Sequence, residues 1–204
     1  MLVARDDVPQ TSADGDDSDE DLAGRFSAGD GKAFELLVRR YRDALYRFVR
    51  WHLGATRSDA EDITQDILIE VHRSLGGYEG RSRFRTWMFG LARNVCLRRR
   101  RAAKETLCEA AGEKSLRELP DAAVDLETAL ERREVQEAVR CAIEELGPGH
   151  RDVVLLREIE GLSYEEIAAV LEVPIGTVRS RLHNARAALA ERLAPLARGR
   201  EEER

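Results

Sequence analysis

Apolar residues recur at intervals of three and four along most of this chain, which is the spacing of an amphipathic α-helix. One stripe of this kind spans residues 33–53, and a second reaches residue 75, where two glycines end it. A third begins at Phe84 and runs into four consecutive arginines at 98–101. Because three helices of these lengths can enclose one hydrophobic core, the first half of the chain predicts a small helical domain.

The periodicity is lost after residue 102 and resumes at residue 126. Gly112 and Pro120 lie in the gap, and a Gly-Pro-Gly sequence interrupts the helical spacing beyond it. The sequence therefore predicts an all-α fold of two small helical domains joined by a flexible linker, the second a helix-turn-helix. We place a disordered acidic tail at 1–21, the first domain at 22–104, the linker at 105–125, the second domain at 126–196 and a charged tail at 197–204.

Two Ser-x-x-Glu patterns predict where helices begin, because the two side chains can each accept a hydrogen bond from the other residue's backbone N–H. Ser58 with Glu61 opens the second stripe, and Ser163 with Glu166 opens a short helix at 164–171. A Val-Pro-Ile turn follows that short helix and leads to the last helix, which we expect to end near residue 193.

The formal net charge of −6 argues against a chain that is basic over its whole surface, although it does not say where the charges lie. Much of the negative charge falls in residues 1–21, which hold too few apolar residues to form a packed structure. This tail either serves solubility, which we favour, or competes with nucleic acid for a basic face.

The three cysteines and four histidines are scattered and match no metal-ligand spacing. No segment has the apolar run of a signal peptide or of a membrane span. We therefore expect a reduced, cytoplasmic protein with no metal, no cofactor and no insertion into a membrane. Motifs for a nucleophile elbow, a phosphate-binding loop or a zinc protease are also missing, so we expect no enzymatic activity.

The last predicted helix carries polar residues opposite its apolar stripe. A helix-turn-helix presents the first turns of its second helix to the major groove, where arginine bonds guanine, asparagine bonds adenine and serine bonds a base or a phosphate. A plain helical hairpin with a solvated arginine face is the alternative. The residues predicted to contact duplex DNA are Thr177, Arg179, Ser180, His183, Asn184 and Arg186.

A second basic stretch covers residues 81–101 and contains no acidic residue. Its arginines alternate with aromatic side chains on which unpaired bases could stack, at about 1 to 3 kcal/mol per base. Trp87 and Phe89, taken singly, are more typical of a core, and the arginine run favours phosphate contact over a merely solvated helix end. The residues predicted to bind a single strand are Arg81, Ser82, Arg83, Phe84, Arg85, Trp87, Arg93 and Asn94.

The helix between these features is distinctly acidic along the sequence DAEDITQDILIE. Such a face repels DNA and suits either a protein partner with a basic surface or plain solvation. The polar residues of this stretch include Asp62, Gln65, Asp66 and Glu70.

Two blocks, DAEDITQDILIEVHRSLGGYEGRSRFRTWMFGLARN and GLSYEEIAAVLEVPIGTVRSRLHNARAAL, together resemble the extracytoplasmic-function (group four) sigma factors of bacterial RNA polymerase. The resemblance covers about 25–104 and 126–195, in the family's order. It implies that the acidic helix binds core polymerase, that residues 80–94 capture the melted minus-ten strand, and that the last helix reads the minus-thirty-five duplex. Asn184 departs from the basic residue that many relatives carry there.

The resemblance also implies partners: bacterial core RNA polymerase, promoter DNA and, as a candidate, an anti-sigma factor. The rival interpretation is a helix-turn-helix regulator that works without polymerase. The basic aromatic stretch and the acidic helix distinguish the two, because a duplex-binding regulator needs neither. A hydrolytic enzyme is disfavoured by the missing motifs.

Overall fold

The computed structural model describes the backbone of residues 17–109 and 126–202 and the side chains of 17–103 and 135–195, and every regular element in those ranges is helical. This confirms the all-α prediction. The elements are α1 (Asp19–Ser27), α2 (Gly31–Leu53), α3 (Arg57–Leu75), α4 (Phe84–Glu109), α5 (Leu126–Glu144), α6 (Pro148–Val154) with a π-helical continuation (Leu155–Ile159), α7 (Tyr164–Leu171) and α8 (Ile175–Glu202).

The first domain packs α1 to α4 around one apolar core. Leu45 and Phe48 of α2, Ile67 of α3 and Phe89 of α4 are fully buried, and the first three occupy inward positions that the helical spacing predicts. Burial of each such side chain stabilises the fold by roughly 1.5 to 3 kcal/mol. The core thus fixes which face of α3 and α4 remains outside.

Helix α1 was missed by the sequence analysis, which placed residues up to 21 in a tail. The helix begins at Asp19 because Ser18 and Asp21 form a reciprocal cap, with the Asp21 N–H donating to Ser18 Oγ at 3.1 Å. Leu22, one turn later, is fully buried against the other helices. The predicted tail was therefore wrong for residues 17–21, which include the cap and the first turn of α1. Residues 1–16 of the predicted tail lie outside the described part.

The predicted start of α3 was wrong by two residues. Thr56, not Ser58, caps the helix: its Oγ1 accepts from the Asp59 N–H at 3.2 Å and donates to the Asp59 carboxylate at 2.7 Å. Glu61 instead accepts a hydrogen bond from Arg57. Both serine and threonine are favoured as caps, so the pattern alone could not distinguish the two positions.

The second domain confirms the other predicted cap and the predicted stripe of the last helix. Ser163 Oγ accepts from the Glu166 N–H at 3.1 Å, and the Glu166 carboxylate accepts from the Ser163 N–H at 2.7 Å. α7 ends at Glu172, whose φ of 54° is left-handed, and the chain then turns into α8. The buried or half-buried face of α8 consists of Val178, Leu182, Ala185 and Leu189.

Two predicted boundaries fall inside helices. α4 continues to Glu109, into the predicted linker, and α8 continues to Glu202, into the predicted charged tail. Residues 110–125 of the linker and residues 203–204 lie outside the described ranges.

The two domains pack against each other, α4 against α7 and α2 against α5 and the π-helical segment. Arg151 of α6, only 2% exposed, lies at this junction and donates to the Ile143 carbonyl at 3.0 Å, to Leu146 at 3.3 Å and to Glu144 at the end of α5, and across the junction to His52 at 3.5 Å. Burial, with Arg100 nearby, lowers the pKa of Arg151 to about 10. Its guanidinium satisfies carbonyls that the end of a helix otherwise leaves unpaired.

Candidate nucleic-acid interface

The first turns of α8 present a compact polar surface. Arg179, Ser180, His183 and Asn184 are exposed, while Val178 and Leu182 between them are buried. The buried pair fixes the rotation of the helix, so the polar side chains project together from its N-terminal end. This is the placement that a recognition helix in the major groove requires.

The other two predicted members of this set are placed differently. Thr177 is half-buried and its carbonyl accepts from Ser180 Oγ at 3.1 Å. Arg186 donates to Glu158 at 2.6 and 3.0 Å, and this hydrogen bond raises the pKa of Arg186. The Arg186 guanidinium is therefore held against the π-helical segment, two residues beyond the last member of the exposed group.

The loop that precedes α4 is closed by short-range bonds. Tyr78 donates to the Ser82 carbonyl at 2.5 Å, and Gly80 takes a left-handed φ of 70° that favours glycine. The Glu20 carboxylate of α1 accepts from the Phe84 N–H at 3.0 Å and so caps α4. Helix α1 therefore holds the start of the helix that carries the predicted single-strand site.

Phe84 cannot serve as a stacking platform in this structure. Its side chain is fully buried among Tyr41, Tyr78 and Trp87, with ring centroids 5.7 to 5.8 Å apart. The assignment of Phe84 to a single-strand surface was therefore wrong, because the first residue of α4 turns inward. Phe89 is fully buried, which confirms the core interpretation, and Trp87 is half-buried.

The polar members of the single-strand set lie along one side of the loop and α4. Arg81 and Asn94 are exposed and Ser82 is half-buried. Arg81 forms an ion pair with Glu79 next to it in the loop. The remaining three, Arg83, Arg85 and Arg93, are termed the strand arginines below.

The acidic face of α3 adjoins the arginine run of α4. Asp66 bonds Arg99 and Glu70 lies 3.8 Å from Arg98, so two arginines of the run are paired with carboxylates of their own domain. Both arginine side chains remain more than half exposed, so contact between this run and phosphate stays a prediction. Asp62 and Gln65 are exposed on the same helix.

This acidic face also contains an apolar residue. Ile69, 41% exposed, lines a shallow groove together with Asp66, Glu70 and Val95. An exposed apolar side chain ringed by charged groups is typical of a protein-binding surface.

The contact of Asp152 with His52 and Arg93 at the domain junction was not predicted from the sequence, although Arg93 itself was assigned to the single-strand surface. The Asp152 carboxylate lies between His52 Nε2 at 2.9 Å and Arg93 Nε at 2.7 Å. Burial alone would raise the pKa of Asp152, but the hydrogen bond from His52 and the charge of Arg93 hold it below its usual value. The available signal was that His52 and Asp152 stand among apolar residues in the sequence. Nothing in the sequence showed that these two residues contact each other.

The buried carboxylate of Glu160, at the same junction, has no close cation and only incomplete hydrogen bonding among the described residues. Its side chain is 1% exposed, its Oε2 is 4.0 Å from the nearest nitrogen of Arg85, and its Oε1 has no hydrogen-bond partner. Burial raises the pKa of Glu160 to about 7 against the opposing charges of Arg47 and Arg85. Its backbone carbonyl accepts a hydrogen bond from Arg85.

Within the described side chains, no group of histidine, cysteine, aspartate and glutamate residues could hold a metal ion. None of the described helices combines the length and the apolar character needed to span a bilayer.

Comparison with known proteins matches both domains. The models for Sigma-70 region 2 and Sigma-70 region 4 match residues 37–106 and 136–189. RNA polymerase sigma-H factor of Pseudomonas aeruginosa and ECF RNA polymerase sigma-E factor of Escherichia coli are each 35% identical to this chain, over 89% of it and 97% of the relative.

Two solved structures share the fold over most of the chain. CnrH in complex with the cytosolic domain of CnrY gives a TM-score of 0.65 at 28% identity, covering 88% of this chain and 99% of CnrH. The sigma factor RpoE of Bartonella quintana, in complex with the anti-sigma factor NepR, gives a TM-score of 0.65 at 25% identity, covering 80% and 98%.

Proposed function

The chain belongs to the sigma-70 family of RNA polymerase sigma factors, in its extracytoplasmic-function group, and we propose that three of its surfaces divide promoter recognition between them. The chain is a promoter-specific initiation factor that associates with RNA polymerase. Core polymerase is assigned to α3, the minus-thirty-five duplex to the start of α8, and the melted minus-ten strand to the loop before α4 and to α4 itself.

The polymerase surface is the outer face of α3. Asp62 and Gln65 are exposed there, and Ile69 adds an apolar centre between the acidic side chains. A basic partner surface would be attracted by the carboxylates and would bury the isoleucine. Asp66 and Glu70 contribute to the same face, although each already lies beside an arginine of α4.

The duplex-reading surface is the exposed group Arg179, Ser180, His183 and Asn184. Arginine and asparagine can each form two hydrogen bonds to one base, and serine and histidine can add contacts to a base or a phosphate. Thr177 and Arg186 flank this group and are better placed for the DNA backbone.

The single-strand surface consists of Arg81, Ser82, Arg83, Arg85, Arg93 and Asn94, with Trp87 at its edge. Arginines along such a surface would hold the phosphates, and the half-buried indole offers one flat face to a base. Capture of an unstacked base offsets the free energy of melting the duplex.

The observation that carries this assignment is the presence in one chain of two separate basic surfaces, one suited to duplex DNA and one to a single strand. The polymerase would perform the chemistry of transcription, and the chain would act in the cytoplasm. An anti-sigma factor is a candidate partner, because the similar RpoE structure contains one.

Run-off transcription tests the proposal. Core bacterial polymerase is incubated with a pool of promoter fragments from the source genome, with and without this chain. We expect specific transcripts that depend on the chain, and their upstream sequences would define both promoter elements. Sequence-specific duplex binding without core binding or transcripts would instead support a regulator that is independent of polymerase.

Reversal of charge on α3 tests the polymerase surface. We expect Asp62→Arg with Asp66→Arg to lower the affinity for core polymerase at least tenfold, because like charges then meet across the interface. A pull-down titration measures this. The matched control is Glu35→Arg with Asp43→Arg, which reverses two exposed charges on α2. Equal affinity of the two double variants would refute the assignment of α3.

A further inference from the structure

Among the described residues, the oxygen atoms that the strand arginines reach belong to the second domain, and Arg85 also lies over the Phe89 ring of its own domain, 5.7 Å from the ring centroid. Each guanidinium reaches an oxygen atom on α6, on α7 or on the segment between them. Arg93 donates to the Asp152 carboxylate at 2.7 Å, Arg85 donates to the Glu160 backbone carbonyl, and Arg83 lies 3.7 Å from the Glu166 carboxylate.

The central contact is buried and joins residues far apart in the chain. Asp152 is 2% exposed, and both groups that bond its oxygens, Arg93 and His52, come from the first domain. A buried carboxylate is tolerated when such partners surround it. The burial and the pairing of Asp152 therefore depend on the contact between the domains.

Arginine binds carboxylate and phosphate oxygens with the same planar donor group. A guanidinium that bonds an oxygen of the second domain cannot use the same N–H groups for a DNA phosphate. The second domain and the promoter strand thus require the same donors.

We infer that the second domain occupies the promoter strand's site on the first domain, with oxygens of Asp152 and Glu160 taking the arginine bonds that phosphate oxygens of the melted minus-ten strand would take, and with the Glu166 carboxylate 3.7 Å from the exposed Arg83. This inference rests on the proposed assignment of the strand arginines. The closed chain has to open before it can hold the strand.

The closure is selective. Asp62 and Gln65 on α3 remain exposed, and so do Arg179 and Ser180 on α8. The closed chain still presents its polymerase surface and the side chains of its duplex-reading surface. Single-strand binding is the activity that closure suppresses.

The test uses the full chain without polymerase. Asp152→Asn removes the charge that compensates Arg93, and Glu145→Gln is the control, because it removes a charge from the same domain and breaks an ion pair with Arg192 inside that domain. Fluorescence anisotropy with a labelled single-stranded DNA pool of about 12 nucleotides measures binding. Small-angle X-ray scattering of the same samples measures the radius of gyration.

We expect Asp152→Asn to bind the DNA about tenfold more tightly than the unmodified chain and to have a larger radius of gyration, because the competent open state becomes more populated. The Glu145→Gln control should match the unmodified chain in both measurements. His52→Leu breaks the other bond to Asp152 from the opposite domain and should have the same effect, which provides a second variant if one fails to fold.

Equal DNA affinity and equal size of Asp152→Asn and the unmodified chain would overturn the inference. A larger radius of gyration without tighter DNA binding would also overturn the inference. A further substitution would then show whether the competition or the assignment of the strand arginines is at fault. If Arg85→Ala in the Asp152→Asn background leaves DNA binding unchanged, the assignment of the strand arginines is itself wrong. If Arg85→Ala weakens DNA binding in that background, the assignment of the strand arginines stands, and only the proposed competition between the second domain and the promoter strand is refuted.

Discussion

Single residues of the two proposed DNA-binding sets differ in exposure, which determines what a substitution can reveal. Arg179 and Ser180 are exposed at the start of α8, so truncating them removes polar groups without disturbing the core. Arg93 is half-buried and bonds Asp152, so its truncation would change the domain contact and the DNA surface together. Promoter reading is therefore tested more cleanly on α8 than on α4.

We expect Arg179→Ala to reduce initiation at a cognate promoter by about 1 to 3 kcal/mol, the value of one bidentate contact between arginine and a base. Ser180→Ala should have a smaller effect, because the Ser180 hydroxyl already donates to the Thr177 carbonyl at 3.1 Å. Run-off transcription measures both variants, and a pull-down should show unchanged core binding. Arg192→Ala, at the far end of the recognition helix, is the control; unchanged promoter selectivity in both variants would contradict the assignment.

Helices α1, α3 and α7 begin at residues whose side chains cap them, and sequence patterns locate these starts unevenly. Ser163 and Glu166 were identified correctly because one serine lies at the right distance before an apolar run. At α3 two hydroxyl residues compete, and the structure selects Thr56. At α1 the cap was overlooked because acidic composition was interpreted as a tail.

The α3 start gives a matched pair of substitutions. We expect Thr56→Ala to lower the free energy of unfolding of the first domain by about 1 kcal/mol, because the Asp59 N–H loses its acceptor. Ser58→Ala should change it by no more than about 0.5 kcal/mol, since alanine favours the helix interior. Urea denaturation followed by circular dichroism measures the difference. A larger effect at Ser58 than at Thr56 would place the cap where the sequence pattern had placed it.

The whole molecule is held closed in part by groups that titrate. On closing, Glu160 is buried near Arg85 and Arg47, and its pKa rises from about 4.5 to about 7. The closed state therefore takes up a proton between these two values, so closure strengthens as pH falls from 8 towards 5. Asp152 has the opposite shift and stays ionised over this range, because His52 and Arg93 hold its pKa low.

We expect the closed state to be about 3 kcal/mol less favourable at pH 8 than at pH 5, which follows from the shift at Glu160. Scattering measurements between these pH values should show a radius of gyration that increases with pH. Glu160→Gln cannot ionise and should flatten that dependence, remaining compact at pH 8. A dependence that persists undiminished in Glu160→Gln would assign it to another group.

The contact between the domains marks the limit of what the sequence predicted. Helical periodicity identified both cores and the outward face of α8, because burial repeats along a helix with a fixed period. The apolar periodicity gives no sign that Arg151 and Asp152 are buried, because charged residues are normally expected at the surface. Asp152 is bonded by His52 and Arg93 from a distant part of the chain, which no local pattern connects to it. Arg151 bonds carbonyls at the end of α5 and also reaches the His52 carbonyl across the junction. The assignment of Phe84 to a single-strand surface was wrong for a related reason: the sequence does not reveal which of the aromatic residues near a helix start turns inward.

Under the proposed competition, Arg93 and Arg85 bond the second domain in the closed chain and the promoter strand in the open chain, which limits how this sequence can vary. A substitution that improves the grip on a promoter strand also alters the packing of the second domain, and Asp152 would be left buried beside His52 without its cation. Changes at these arginines should therefore be accompanied by changes at their acceptors on α6 and α7. Residues at the start of α8 face no such double requirement, so the minus-thirty-five preference is free to diverge faster than the minus-ten preference.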